Sequence, residues 1–217
     1  GAQGMNVTRT AWLSHGGAAE TPCITIDSQC GSSQEAVHLA TSMLRAGMAD
    51  VMMACGVENM TRLPIGSDAV GLKPELGKPV SRTYFEHFEF TSQFEGAERV
   101  AEKYQITRQD TDAFGLASQE RAKQAIEGGY FDSQIIPLEV PVLDEEGKRT
   151  EETVVFTRDE VPRDTSLEAL AGLKPVARED GIHTAGTSSQ IADGAAAVLL
   201  MTASKAEELG VKPLAKV

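Results

Sequence analysis

Aromatic side chains are scarce in this chain, at 5% of its 217 residues, so any core must rest on Ala, Val, Leu, Ile and Met. Basic charge is short as well: 20 Lys and Arg stand against 32 Asp and Glu, for a formal net charge of -12. That balance argues against non-specific binding to nucleic acid or anionic membranes, which needs basic surface. It leaves room for an anionic small molecule, because a local basic pocket can sit in an acidic protein. No apolar run approaches the roughly 20 residues of a membrane span. The opening residues, Gly1-Ala2-Gln3-Gly4, lack the basic start and apolar stretch of a secretion signal. Cysteines are few and odd in number: Cys23, Cys30 and Cys55 fit neither a paired disulfide framework nor a zinc spacing. These absences lead to the expectation of a reduced, cytoplasmic setting, with no metal and no permanently bound cofactor.

What is present is an ordinary globular balance, 41% apolar and 24% charged, in a chain long enough for one large domain or two small ones. Helical spacing of apolar residues predicts a first helix around Val7 to Leu13. Cys23 to Asp27 alternates as a strand, a turn follows at Ser28-Gln29-Cys30-Gly31-Ser32, and Ala36, Val37, Ala40, Met43 and Leu44 place a helix over 33–45. Val51 to Cys55 is a short apolar run suited to a strand covered on both faces. Strand, helix, strand in that length predicts a βαβ unit and a parallel sheet.

From 62 to 98, Gly, Pro and charge interrupt every apolar period, which reads as loop with short elements at most. A helix is expected through Ala97, Val100 and Ala101. A second is expected from Thr107 as N-cap to Gly128-Gly129. Ile135 to Val142, with two prolines, reads as an edge strand. A turn at 144–148 and a strand over 151–156 follow. Asp193 to Met201 has the small-then-apolar composition of a buried strand, Ala203 to Leu209 that of a helix, and Val211 to Val217 is expected to begin a further strand.

Cys30 is the leading candidate for chemistry. It stands where a helix begins, and the first N–H groups of a helix are unpaired and carry partial positive charge. Both favour a thiolate over a thiol, the form that acts as a nucleophile. Gly31 leaves room for a ligand, Ser32 and Ser33 are small polar donors, and a backbone N–H there could receive a developing oxyanion. The competing reading is a small buried hydrophobe, which suits Cys23 and Cys55 in their apolar stretches.

The segment Thr25-Ile-Asp-Ser-Gln-Cys-Gly-Ser-Ser-Gln34 resembles the nucleophile segment of thiolases. Four further blocks in the same order strengthen the likeness. Ala49-Asp50 with Gly56-Val57-Glu58-Asn59-Met60-Thr61 is similar to a Gly-Gly-Met-Glu-Asn-Met-Ser stretch. Asp112-Ala113-Phe114 with Ala117-Ser118-Gln119 resembles a helix of the family's loop domain. Asp159-Glu160 with Arg163, Thr165, Leu167-Glu168 and Leu173-Lys174-Pro175 matches another block. Thr184-Ala185-Gly186-Thr187-Ser188-Ser189-Gln190 with Asp193-Gly194-Ala195-Ala196 resembles the return to the core.

The resemblance implies an α/β fold, a layered α-β-α-type core present in part, with an inserted α+β loop domain. It implies a core domain over 1–61, a loop domain covering the CoA site over 62–190, a return to the core over 191–208, and the start of a second core domain over 209–217. It implies a transferase that cleaves 3-oxoacyl-CoA with CoA, or condenses two acyl-CoA molecules, with acyl-CoA as substrate and fatty acid or sterol breakdown as setting. By position, Cys30 matches the acyl-accepting nucleophile, and Arg163 a basic contact to the CoA nucleotide. Ser189 matches a serine near the pantetheine chain, and Ala185 a residue lining the same tunnel. Arg163 beside Asp159, Glu160 and Asp164 also reads as a surface ion pair. A homodimer or homotetramer is implied, with Val51 to Gly56 near its seam.

Two departures stand out. Gln93-Phe94 replaces the family's Met-Gly pair, and Ser92 a position often held by His. The family's Gly-His-Pro and Cys-x-Gly segments, which supply acid and base, have no counterpart here. None of His15, His38, His87 and His183 matches that context. The expectation is therefore a middle portion of such an enzyme, with negligible turnover by itself. A ketoacyl-synthase-like condensing enzyme and a non-catalytic acyl-CoA-binding or lipid-binding module of the same fold are the alternatives.

Overall fold

The computed structural model describes residues 5–67 and 80–217. Gly1-Ala2-Gln3-Gly4 and part of the stretch read as loop, 68–79, lie outside the described residues. The chain divides into two compact units, one formed by 1–79 with 191–217 and the other by 80–190.

The first unit begins with helix α1 (Val7–Ser14), capped by the Asn6 side chain, which accepts from the Arg9 N–H at 3.0 Å. A 3₁₀ turn, Gln29–Gly31, leads into helix α2 (Ser32–Arg45). Strand β1 (Val51–Glu58) pairs antiparallel with β4 (Gly194–Met201), from Val51 opposite Met201 to Glu58 opposite Gly194. Helix α7 (Ala203–Glu208) follows β4. The core is Ala40 of α2 against Ala54 and Leu200, bordered by Ala36, Val37, Leu44 and Met52. These are the helical-period residues of α2 and one alternate set of the strand pair, as a two-layer packing requires.

Three expectations change here. The 23–27 segment forms no strand and pairs with none among the described residues, so the βαβ unit is replaced by an antiparallel ladder between distant segments. Backbone carbonyls at its start and just before it are held by α1 and its capping residue instead. Asn6 Nδ2 donates to the Cys23 carbonyl at 2.7 Å, and the Arg9 guanidinium donates to the carbonyls of Ala19, at 2.7 Å, and Thr21. Second, β1 and β4 are covered on one face only. Val51, Met53 and Leu199 on the other face are exposed, so neither strand is buried on both sides. Third, 211–217 forms no strand, since no ladder partner reaches it among the described residues.

In the second unit, helix α3 (Tyr84–His87) precedes α4 (Gln93–Tyr104), which is capped by the Ser92 hydroxyl. Rings of Tyr84, Phe85, Phe88 and Phe90 gather around α3, with Tyr84 centroids 5.5 Å from both Phe85 and Phe88. Helix α5 (Arg108–Glu127) starts with the expected Thr107 cap, completed by Asp110 as a capping box. Strands β2 (Leu138–Leu143) and β3 (Arg149–Phe156) form a hairpin closed by the expected 144–148 turn, where Gly147 takes φ +76°. β2 starts three residues later than the apolar run, just after Pro137, whose nitrogen has no hydrogen to give a ladder. Helix α6 (Leu167–Ala171) and the segment 174–190 pack back on α5.

That packing depends on two glycines meeting. A Cβ on Gly115 in α5 would lie 2.6 Å from the carbonyl oxygen of Gly186, and one on Gly186 would strike Leu170 and Leu173. Gly115→Ala gains about 1 kcal/mol of helix propensity. Forcing backbone apart in a packed site costs typically about 1–3 kcal/mol, and a backbone obstacle cannot swing away. We expect a net loss of stability, read as a lower urea midpoint with an unchanged slope.

The Thr61–Asp193 contact gives a pH test in the first unit. The Thr61 hydroxyl donates to Asp193 at 2.6 Å and its N–H donates at 3.0 Å. These bonds, the hydroxyl first, hold the Asp193 carboxyl below the ordinary aspartate range. A depressed pKa stabilises the fold above the unfolded value, about 3.9, and the contribution disappears as pH falls through the lower native value. Thr61→Val is expected to flatten the acid limb of the thermal-midpoint profile below about pH 4.

Candidate functional site

The turn that carries Cys30 is built from its own side chains. Ser32 Oγ accepts from the Ser28 N–H at 2.9 Å and donates to the Gln29 carbonyl at 2.6 Å. Asp27 Oδ1 accepts from the Gln29 N–H at 2.9 Å, and the Gly31 N–H donates to the Ser28 carbonyl at 3.0 Å. Gln29 sits at φ +50°, a left-handed conformation that costs a non-glycine residue about 1 kcal/mol or more. The strain folds the chain sharply and leaves Cys30 exposed at the entry to α2. The amides of Ser28, Gln29, Gly31 and Ser32 are spent inside the turn, so none of the four serves an oxyanion while the turn is intact. The expected role of Ser32 as a ligand donor changes accordingly: it is the lock of the turn. The Ser33 hydroxyl lies over Gly56 of β1, where no side chain would fit.

The other cysteines differ in setting. Cys23 and Cys55 are half-buried, and Cys55 Sγ is 3.6 Å from the Thr8 hydroxyl on α1. His38, on α2, is a surface residue with Nδ1 3.1 Å from Glu35 Oε1. Among the described residues no group of His, Cys, Asp and Glu is placed to hold a metal ion. No described helix is long and apolar enough to cross a membrane.

The second unit holds the other three candidates, all exposed. Arg163 donates from Nη2 to Gln190 Oε1 at 2.9 Å, and its N–H donates to Gln119 Oε1 at 3.0 Å. Among the described residues no carboxylate lies within 4 Å of its guanidinium. Asp164 pairs with Lys123 instead, at 2.8 Å, which holds the Asp164 carboxyl below its usual range and the Lys123 ammonium above its own. The surface-ion-pair reading of Arg163 is thus not met. Ala185 lies within, and Ser189 just after, a tight turn in which the Thr184 carbonyl accepts from the Thr187 N–H and hydroxyl and, at 2.8 Å, from the Ser188 hydroxyl. Gln119 and Gln190 were legible only as members of matching blocks, with nothing in their spacing to tie them to Arg163. An open cleft of about 400 Å³ lies along β3 and the residues after it, lined by Val154, Phe156, Arg158 and Pro162; Arg163, Ala185 and Ser189 do not line it.

Exposure orders the three thiols. We expect iodoacetamide at neutral pH to label Cys30 first and Cys23 and Cys55 more slowly, with peptide mass mapping as the readout. Equal labelling of all three would contradict the geometry of the turn.

Comparison with known proteins places this geometry in a family. The model for "Thiolase, N-terminal domain" matches residues 1–204. A steroid 3-ketoacyl-CoA thiolase of Mycobacterium tuberculosis is 38% identical over all of this chain and 52% of its own length. An acetyl-CoA acetyltransferase of Pseudomonas aeruginosa is 42% identical over 99% of the chain and 55% of its own. The crystal structure of the Bacillus anthracis acetyl-CoA acetyltransferase superposes with a TM-score of 0.81 at 36% identity, covering 98% of this chain and 54% of that one. The chain spans about half the length of the curated relatives it matches. With the matched model covering nearly every residue, the chain belongs to the thiolase family.

Proposed function

We propose that the protein of which these residues form part is a thiolase-type acyltransferase that cleaves 3-oxoacyl-CoA with CoA, or runs the reverse condensation. The observation that carries this reading is Cys30, exposed on a locked turn at the start of α2 in a chain of the thiolase family. In this reading the Cys30 thiolate attacks the 3-oxo carbon and the bond between carbons 2 and 3 breaks. The departing carbanion is protonated to leave as acetyl-CoA. The thiol of a second CoA then takes the acyl group from Cys30 and restores the thiolate. Coenzyme A and acyl-CoA are substrates here, and no resident cofactor enters any step.

Arg163 is proposed as the contact to the CoA nucleotide phosphates. Its guanidinium is held by one neutral amide and by no described carboxylate, which leaves its charge available to an anion. Ala185, exposed within the Thr184 turn, and Ser189, exposed just after it, are proposed to line the pantetheine path. Residues 62–190 would then form the loop domain over CoA, with core segments before and after it. Assembly as a dimer or tetramer belongs to the same reading, supported by the exposed apolar face of β1 and β4, as does a cytoplasmic location.

Three outcomes follow. Incubation with acetyl-CoA is expected to add one acetyl mass to the Cys30 peptide, and Cys30→Ser to remove that thioester; an unmodified Cys30 under saturating acetyl-CoA would favour the non-catalytic binding module. Arg163→Ala is expected to raise the half-saturating CoA concentration about tenfold, the worth of one charge-assisted hydrogen bond at ~1.5 kcal/mol. Steady-state thiolysis of acetoacetyl-CoA by these 217 residues alone is expected to be negligible, since they contain neither a Gly-His-Pro nor a Cys-x-Gly segment; robust turnover would sink that expectation.

A further inference from the structure

Helix α4 carries Glu95, Glu98 and Glu102 at a spacing of three and four, one stripe along the helix. By pattern this is a solvated acidic face, yet the middle carboxylate is 1% exposed. A buried carboxylate stays only where donors replace water. Glu98 has them in one place: the Ile182 N–H reaches both of its oxygens at 3.0 Å, and the His183 N–H reaches Oε1 at 3.0 Å. Gly181 gives it room, since a Cβ there would lie 2.6 Å from Oε1. The flanking acids grip the same segment through Arg178, which contacts Glu102 and lies 3.6 Å from Glu95. On the other side of Ile182, its carbonyl accepts from the buried Thr111 hydroxyl of α5 at 3.3 Å.

The pinned residues lead directly into Thr184, which is fully buried, and its turn. The Thr184 N–H donates to Thr187 Oγ1 at 3.0 Å, and Pro175 and Thr184 form an isolated bridge. The turn's inner atoms are consumed in holding its shape, while Ala185 and Ser189 are left facing water. The shape of that exposed edge is therefore inherited from the residues just before it. We propose that Glu98 is a positioning residue: its buried carboxylate fixes the amides of Ile182 and His183 and so presents the Thr184–Gln190 segment in the conformation that binds the pantetheine chain of CoA. The inference rests on the CoA-side assignment made above and adds the group that holds that side in shape. Glu98 itself touches neither CoA nor Cys30 in this reading.

Oε1 accepts from both amides and Oε2 shares the Ile182 N–H; an amide in place of the carboxylate puts a donor against that N–H. Two variants test this. Glu98→Gln keeps the volume and removes one acceptor. Gly181→Ala presses on the same contact from the loop side, at a residue whose φ is not positive. In each, amide hydrogen exchange at Ile182 and His183 is expected to speed up about tenfold while far-UV circular dichroism is unchanged. Half-saturating acetyl-CoA for Cys30 acetylation is expected to rise about tenfold, with the saturating acetylation rate within twofold of wild type.

Unchanged exchange at the two amides would overturn the lock. Faster exchange with unchanged half-saturation would overturn its role in CoA binding. Unfolding of both variants would make Glu98 a folding residue and overturn positioning. A wild-type chain that neither binds CoA nor is acetylated would refute the proposed function, and the CoA half of this inference with it, whereas the exchange result stands or falls by itself.

Discussion

A carboxylate withdrawn from water must be met by donors at every oxygen, and in the 80–190 unit that demand organises everything around it. Glu98 is the largest fully buried side chain among the described residues there, and it is polar. Among the described residues, the buried hydrophobes of this unit are Ala101 and Leu170, against a buried polar set of Glu98, Thr111, Asp112 and Thr184. The hydrophobic term is correspondingly small, and uniqueness of conformation comes from hydrogen bonds that fit one arrangement. Arg108 follows the same logic. Its Nε donates to both Asp112 oxygens at 2.9 Å and its Nη2 to the carbonyls of Leu170 and Leu173, so one ion pair also closes the end of α6. Gly115 of α5 meets Gly186 at a distance that leaves no room for a Cβ.

The other unit works by apolar packing on a smaller scale. One face of the β1–β4 pair meets α2 through Ala40, Ala54 and Leu200, small residues that allow close approach. Its job at the candidate site is mechanical. The unit anchors α2, and the turn before α2 is then shaped by Ser32, Asp27 and the left-handed Gln29. The sulfur is exposed because the backbone is bent under it, with the amides of Ser28, Gly31 and Ser32 bonded within the turn and that of Gln29 held by Asp27. The two units thus solve the same problem in different ways. Each holds exposed candidate residues on a segment shaped by its own hydrogen bonds.

Much of the local structure was legible in the sequence. The Thr107 box, the period of α2, the 144–148 turn and the placing of Cys30 at a helix start all depend on neighbours within a few residues, and such preferences are written in order along the chain. The nucleophile candidate was legible for the same reason, and the order of matching blocks carried the family. Strands were harder. Alternation at 23–27 and the apolar run at 211–217 signal an extended chain, but a strand exists only where a second one supplies its ladder. The antiparallel partnership of β1 with β4 joins segments more than a hundred residues apart, which periodicity cannot see.

Side-chain roles that act across the chain were the least visible. Glu98 sits in Glu95-Gly-Ala-Glu-Arg-Val-Ala-Glu102, where three acids at helical spacing look alike, and only the distant amides of Ile182 and His183 single out the middle one. In sequence Arg163 stands among three acids and reads as an ion pair, whereas in the structure Asp164 pairs with Lys123 and the guanidinium with Gln190. The sequence by itself determined the family, the helices and their caps, and the cysteine at the head of α2, because these follow from local pattern and block order. Tertiary structure alone decided which strand pairs with which, which acid is buried and which cation stays open to an anion. Those outcomes turn on donors and acceptors that meet only after distant segments fold together.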